Sequence, residues 1–143
     1  MPTQTNSISH AVRIPTWHSA AVSTSVWERH WRERGFGLLA VEWRETGELI
    51  GRVGPQYHRM WADDPEVGWA LDPDWWGRGI ATEAGAAGVA WSFGELGFER
   101  VVSITTEANT ASRNVMAKLG FTLHTEVPSE WGLLWVHALD LDR

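Results

Sequence analysis

A mixed β-sheet with helices packed on its faces, a mixed-sheet α/β (α+β) fold, is what this chain predicts. Three observations carry that expectation. Strand-like runs come first as hairpins between Phe36 and Leu71 and afterwards alternate with helical runs, an order that leaves helices on the faces of a mixed sheet. A loop with glycines at 77 and 79 joins the strand ending at Leu71 to a helix of small residues. At 143 residues, 43% hydrophobic and 21% charged, the chain suits one soluble domain with a real core.

Taken in order, residues 1–23 are rich in Ser, Thr, Ala and His without strong periodicity, and read as an arm before a domain spanning 24–143. Ser25 and Glu28 have capping-box spacing, and Val26–Arg34 is helix-prone up to a stop at Gly35. Phe36–Arg44 and Leu49–Val53 read as strands joined by the turn residues Glu45-Thr-Gly-Glu48. Arg59–Pro65 is a polar connection, and Val67–Leu71 is the third strand. After the glycine loop Ile80, Ala84, Ala87 and Trp91 recur at helical spacing. Gly85 and Gly88 cost helix propensity there, so they are expected to permit close packing on the sheet. Gly94 and Gly97 bracket the exit; Arg100–Thr106 is a β-branched strand, and Ala111–Leu119 a short helix stopped by Gly120. Phe121–Val127 and Gly132–Leu141 are two last strands around a Pro128-Ser-Glu turn.

Composition narrows the function. No run of about 18 or more apolar residues exists, so a membrane span is not expected. Met1–Ser7 is polar, without a basic flank or apolar stretch, and shows no secretory signal. The chain has no cysteine, hence no disulfide, thiol nucleophile or Cys-based metal site; cytoplasmic residence fits. A formal charge of −6 argues against general nucleic-acid binding, which needs basic surface, and is compatible with a cationic acceptor such as an amine. The six histidines show no metal-ligand spacing, and no metal is expected. Eleven tryptophans are read mainly as core and pocket filling, with a few lining an apolar slot.

The chemistry sits in the stretch from Glu66 to Ala84. A strand, a Pro-bearing turn and a glycine loop place free backbone N–H groups at a helix N-terminus, a natural seat for phosphate. Gly77 and Gly79 let a ligand approach the main chain closely. Three phrases stand together: Trp76-Gly-Arg-Gly-Ile-Ala81, Asn109-Thr-Ala-Ser-Arg-Asn-Val-Met-Ala-Lys-Leu-Gly-Phe121 and Glu48-Leu-Ile-Gly51. With them the chain resembles the GCN5-related N-acetyltransferase (GNAT) family, most of all its ribosomal-protein N-terminal acetyltransferase branch. The family's phosphate loop, Gln/Arg-x-x-Gly-x-Gly/Ala, is matched at Gly79 and Ala81, with Trp76 at the position of Gln or Arg. The match runs from about Val26 to the C-terminus.

The resemblance implies the acyl-CoA N-acyltransferase fold and acetyl-CoA as the acyl donor. Trp69, Ala70 and Leu71 would pair with the pantetheine arm through main-chain groups, as an added strand does. Gly77, Arg78, Gly79, Ile80, Ala81 and Thr82 would hold the pyrophosphate, with Asn109 reaching the arm from the opposite strand end. It implies direct transfer, in which a neutral amine of a small molecule or a protein N-terminus attacks the thioester. Glu66 is the candidate acceptor of the ammonium proton, and Ser112 the candidate donor to the departing sulfur. Many members carry a tyrosine where this chain has Met116, and its one tyrosine, Tyr57, lies on the far hairpin. Members usually begin with a further strand and helix, and this chain is expected to start after them. A non-catalytic CoA-binding module is therefore the alternative reading. An edge left open on the strand Phe36–Arg44, with Trp17, Trp27 and Trp31 beside it, would favour a homodimer.

Overall fold

The computed structural model describes residues 6–7, 12–14 and 25–142. Within them the strands are β1 (Asn6–Ser7), β2 (Val12–Ile14), β3 (Leu39–Trp43), β4 (Leu49–His58), β5 (Trp61–Leu71), β6 (Arg100–Thr106), β7 (Thr122–Ser129) and β8 (Gly132–Asp140). The helices are α1 (Ser25–Arg34), α2 (Ile80–Phe93) and α3 (Thr110–Leu119). The strands form one mixed sheet in the order β1-β2-β3-β4-β5-β6-β8-β7. Every neighbouring pair is antiparallel except β5 and β6, which are parallel. The expected fold class is the one observed.

The differences lie at element edges, and each has a physical reason. β4 and β5 extend past the expected hairpin, with His58 paired to Trp61 and an irregular register before Gln56 pairs with Glu66. Asp63, Asp64 and Pro65 break the apolar alternation there, yet the pairing holds. Trp61 packs against the buried cluster of Val102, Val136 and Ala138, which anchors the tip of the hairpin. Pro128 lies inside β7 rather than in a turn; β7 is an edge strand, where a missing N–H is tolerated.

The expectation that residues 1–23 hold no strand is corrected. β1 and β2 pair with each other, and β2 pairs with β3 through Val12 to Trp43 and Arg13 to Glu42. Strands of two and three residues are too short to leave a readable alternation. The rest of the arm, Trp17 included, lies outside the described residues. Nor do the other two tryptophans leave a bare apolar surface. Trp31 is buried and stacks on Trp91 with ring centroids 5.7 Å apart, and Trp27 lies under the Arg52 guanidinium. β3 is therefore not an open edge at Glu42 and Trp43, and of the three tryptophans behind the homodimer expectation Trp27 and Trp31 are covered.

Glycines set how closely the layers approach. A Cβ on Gly88 would stand 3.0 Å from Val67 and 3.4 Å from Val53, and one on Gly85 would stand 2.8 Å from Leu119. α2 therefore lies directly on β4 and β5 and against α3, as the sequence suggested. His30 fastens α1 to the sheet. Its Nδ1 lies 2.9 Å from the Phe36 carbonyl, and its Nε2 accepts the Tyr57 N–H at 3.1 Å. Both contacts are met by the neutral ring with its proton on Nδ1, in keeping with a pKa that burial lowers.

Gly54 is the tightest of these junctions. Its φ is +152°, and a Cβ would meet the Gly37 carbonyl oxygen at 2.5 Å. Gly54→Ala must push the α1–β3 connection off β4, so we expect a loss of about 2–4 kcal/mol. Denaturant unfolding of the two proteins measures it; Gly47→Ala, on an open turn where a Cβ meets nothing within 4 Å, is the control for positive φ alone.

Candidate active site

The site begins where two parallel strands stop pairing. β5 and β6 share one registered pair, Glu66 with Val102. Past that point the Ile104 N–H is taken by Glu66 Oε2 at 3.0 Å. β5 continues to Leu71 with β4 on one side and a cleft on the other, to which it contributes Trp69, Ala70 and Leu71. Parallel strands that part leave main-chain polar groups needing a partner.

That cleft has a volume of about 480 Å3. Trp75, Trp76, Gly77 and Gly79 line it from the loop, Ile80, Ala81 and Thr82 from α2, and Asn109, Ala111, Ser112, Asn114, Val115 and Lys118 from the α3 side. The loop is shaped by three local devices. Asp72 Oδ1 accepts the Asp74 N–H and caps a single 3-10 turn, Pro73–Trp75. Trp76 Nε1 donates to the Leu71 carbonyl at 3.0 Å and ties the loop to the end of β5. Gly77 and Gly79 then turn the chain at φ 76° and 78°, with nothing within 4 Å of where a Cβ would sit at either.

The N-terminus of α2 is left open. Gly79 is its N-cap and supplies no side-chain hydrogen bond, so the first-turn N–H groups await an acceptor, with the helix dipole favouring negative charge. In a chain of net charge −6, the one charged side chain among the described residues that line the cleft is Lys118. An anion with a long, partly apolar body fits these walls, and the diphosphate and pantetheine arm of a coenzyme A thioester has that chemistry.

Of the cofactor-binding residues expected from the sequence, Trp69, Ala70, Leu71, Gly77, Gly79, Ile80, Ala81, Thr82 and Asn109 are brought together in this cleft. Arg78 is not among the lining residues. Its guanidinium lies 4.7 Å over the Trp75 ring and donates to the Asp74 carbonyl. Asn109 Oδ1 accepts the Ser112 N–H at 3.1 Å, so this side chain caps α3 while standing at the wall. Ser112 lines the cleft. Met116 is 1% exposed and packs with Val67, Val101 and Phe121, so its position points into the core. Tyr57 packs on His30 and Phe36, under Arg34, and lines a different pocket.

Glu66 is neither exposed nor at a strand start. It lies within β5, is 9% exposed, and is absent from the cleft lining. Burial pushes its pKa up from 4.5 to about 7, partly opposed by the Ile104 N–H. Trp75, Trp76, Ala111, Asn114, Val115 and Lys118 line the cleft and escaped the sequence reading. Lys118 had a signal in the Lys-x-Gly-Phe phrase, and it shares a helical face with Ala111, Asn114 and Val115.

Comparison with known proteins gives a family. A model described as acetyltransferase (GNAT) domain matches residues 4–122. The FsC-acetyl coenzyme A-N(2)-transacetylase of Aspergillus fumigatus is 42% identical over 123 residues, covering 81% of this chain and 48% of that protein. The chain spans about half the length of the curated relatives it matches. Among solved structures, an acetyltransferase from Agrobacterium tumefaciens is 24% identical with a TM-score of 0.78, covering 99% of this chain and 96% of its own. Mycobacterium smegmatis RimJ in complex with CoA-disulfide is 22% identical with a TM-score of 0.70, covering 81% of this chain and 58% of its own. Both likenesses are of fold.

The buried carboxyl makes stability depend on pH in a definite sense. A folded pKa raised from 4.5 to about 7 means that the native state favours protonated Glu66. Its contribution is complete below about pH 4.5 and is lost as pH rises through about 7. Glu66→Gln keeps an acceptor for the Ile104 N–H and cannot ionise. The variant should unfold at about the same free energy as the parent at pH 4, and be more stable by roughly 2–3 kcal/mol at pH 8. Urea unfolding at the two pH values checks both halves.

Proposed function

The chain belongs to the GNAT acetyltransferase family, and within it we propose an acetyl-CoA-dependent N-acetyltransferase that acts by direct transfer to an amine, on a small molecule or a protein N-terminus. The observation that carries this reading is the cleft between the parted strands, continuous with an uncapped helix N-terminus and free of acidic side chains. Bound acetyl-CoA supplies an activated acetyl thioester. The N–H groups of Gly77–Thr82 would hold its pyrophosphate, Lys118 would add positive charge, and the main chain of Trp69–Leu71 would receive the pantetheine arm. Asn109 steadies the opposite wall through its cap on α3. In this reading the protein works in the cytoplasm; among the described residues no helix is long and apolar enough to cross a membrane.

Glu66 takes the proton of the incoming ammonium, through water, since its carboxylate lies off the cleft wall. A base with a pKa of about 7 suits neutral pH, being partly ionised and still able to accept a proton. Ser112 would act as a relay, its hydroxyl passing a proton to the departing thiolate while taking up the one that the acylated nitrogen loses. One observation favours a second reading. Met116 is buried where many relatives hold a tyrosine, so a non-catalytic CoA-binding module is the alternative. Release of thiol with a panel of amines supports the enzyme, and binding without release supports the module.

The base of the proposal is cofactor binding. At about a hundredfold excess over Kd, acetyl-CoA should stabilise the protein by about 2.7 kcal/mol. Gly79→Glu should abolish that gain while the domain stays folded, because a carboxylate would sit beside the phosphates at a φ of 78°. Thermal unfolding with and without acetyl-CoA reads both; equal stabilisation of the variant would put the phosphates elsewhere. For turnover, kcat/KM should rise through about pH 7, and that inflection should vanish in Glu66→Gln.

A further inference from the structure

A second cleft, of about 530 Å3, shares the first turn of α3 with the first. Asn109 and Ser112 line the cofactor cleft, and their chain neighbours Ala108 and Arg113 line this one. Its walls are aromatic and apolar: Trp131, Leu133 and Trp135. Trp131 is 59% exposed and Leu133 46% exposed, so the apolar surface is open to a ligand rather than spent on the core.

Arg113 is held ready in this cleft. Its guanidinium lies 4.7 Å over the Trp135 ring, and Nη1 donates to the Glu107 carbonyl at 2.9 Å. Those two contacts hold the guanidinium against the Trp135 wall. Among the described residues no carboxylate pairs with it. Arg59 is the contrast: it too lies over a tryptophan, Trp131, but it is paired with Glu130. A stacked guanidinium with no acid partner is a receptor for a planar anion, above all a carboxylate. The other charge lining the cleft is Glu107, on the segment that leads to Asn109.

We propose that this second cleft is the acceptor subsite, and that it takes amines carrying a carboxylate and an apolar group, that is, apolar amino acids. The carboxylate pairs with Arg113, the apolar group lies on Trp131 and Leu133, and the amine points past Glu107 towards the cofactor cleft. The charge pattern disfavours polyamines, whose cations would meet Arg113. The assignment rests on the acetyl-transfer reading for its amine, but the carboxylate preference can be tested without turnover.

The probes are phenylalanine and phenylalaninamide, which differ in the carboxylate. Binding is followed at the indole N–H resonances of Trp131 and Trp135, assigned by single Trp→Phe replacements. Phenylalanine should bind the parent about tenfold or more tightly than the amide, and Arg113→Gln should erase the difference. Acetyl-CoA stabilisation, measured on the same two proteins, should be equal. Trp131→Ala, at an exposed position, should weaken both probes alike and serves if Arg113→Gln does not fold. Equal binding of the two probes by the parent, a preference that survives Arg113→Gln, or no shift at millimolar phenylalanine overturns the subsite. Failure of acetyl-CoA stabilisation with the carboxylate preference intact would instead overturn the acetyl-transfer reading alone.

Discussion

The parting of β5 from β6 is the constraint on which the rest of this molecule depends. Two parallel strands begin a ladder at Glu66 and Val102 and then give it up. A broken ladder inside a protein leaves donors and acceptors that cost free energy unless something meets them. Glu66 meets one by turning its carboxylate onto the Ile104 N–H. The β5 side beyond it lines the cleft at Trp69, Ala70 and Leu71, where the Leu71 carbonyl takes the Trp76 indole N–H. The cleft along this gap is thus walled by the backbone of β5 and the loop, with Lys118 as its one charged side chain among the described residues.

Helix placement follows from that opening. α2 starts beside the end of β5 because the 3-10 turn and the Trp76–Leu71 bond fold the loop back on the strand. α2 can lie close because Gly88 meets Val67 and Val53, and Gly85 meets Leu119 and Trp69. α3 then closes the opposite wall, capped by Asn109. The same short turn of α3 presents Ser112 to one cleft and Arg113 to the other, which couples the donor side to the proposed acceptor side. Glu66 carries a cost in this arrangement: its carboxyl is buried, and its ionisation near neutral pH works against the fold.

Much of this was legible in the sequence, and for identifiable reasons. The ends of α2 at Gly94 and of α3 at Gly120 follow from local glycine chemistry; the Asn109 cap was not read, and α3 starts one residue before the expected Ala111. The lining of the cleft was legible because glycines and helix N-termini act through the main chain, whatever the side chains do. Tertiary effects were not legible. The hairpin reaches Trp61 because of a packing contact across the sheet, against local signals at Asp63 to Pro65. β1 and β2 are too short to carry periodicity. Arg78 leaves the cleft because the Trp75 ring and the Asp74 carbonyl hold it. The burial of Glu66 comes from its neighbours in the sheet, and residue type alone cannot show it.

Amide hydrogen exchange, with and without coenzyme A, tests the central claim most directly. If the ligand completes the interrupted ladder and caps α2, the N–H groups of Trp69, Leu71 and Gly77–Thr82 gain protection, while that of Ala70, which faces β4, changes little, since bonded amides exchange only on local opening. The edge strand β7 and its neighbour β8 should change little. Protection spread evenly over the sheet, or confined to strands away from the gap, would contradict a site built on the parting of β5 and β6.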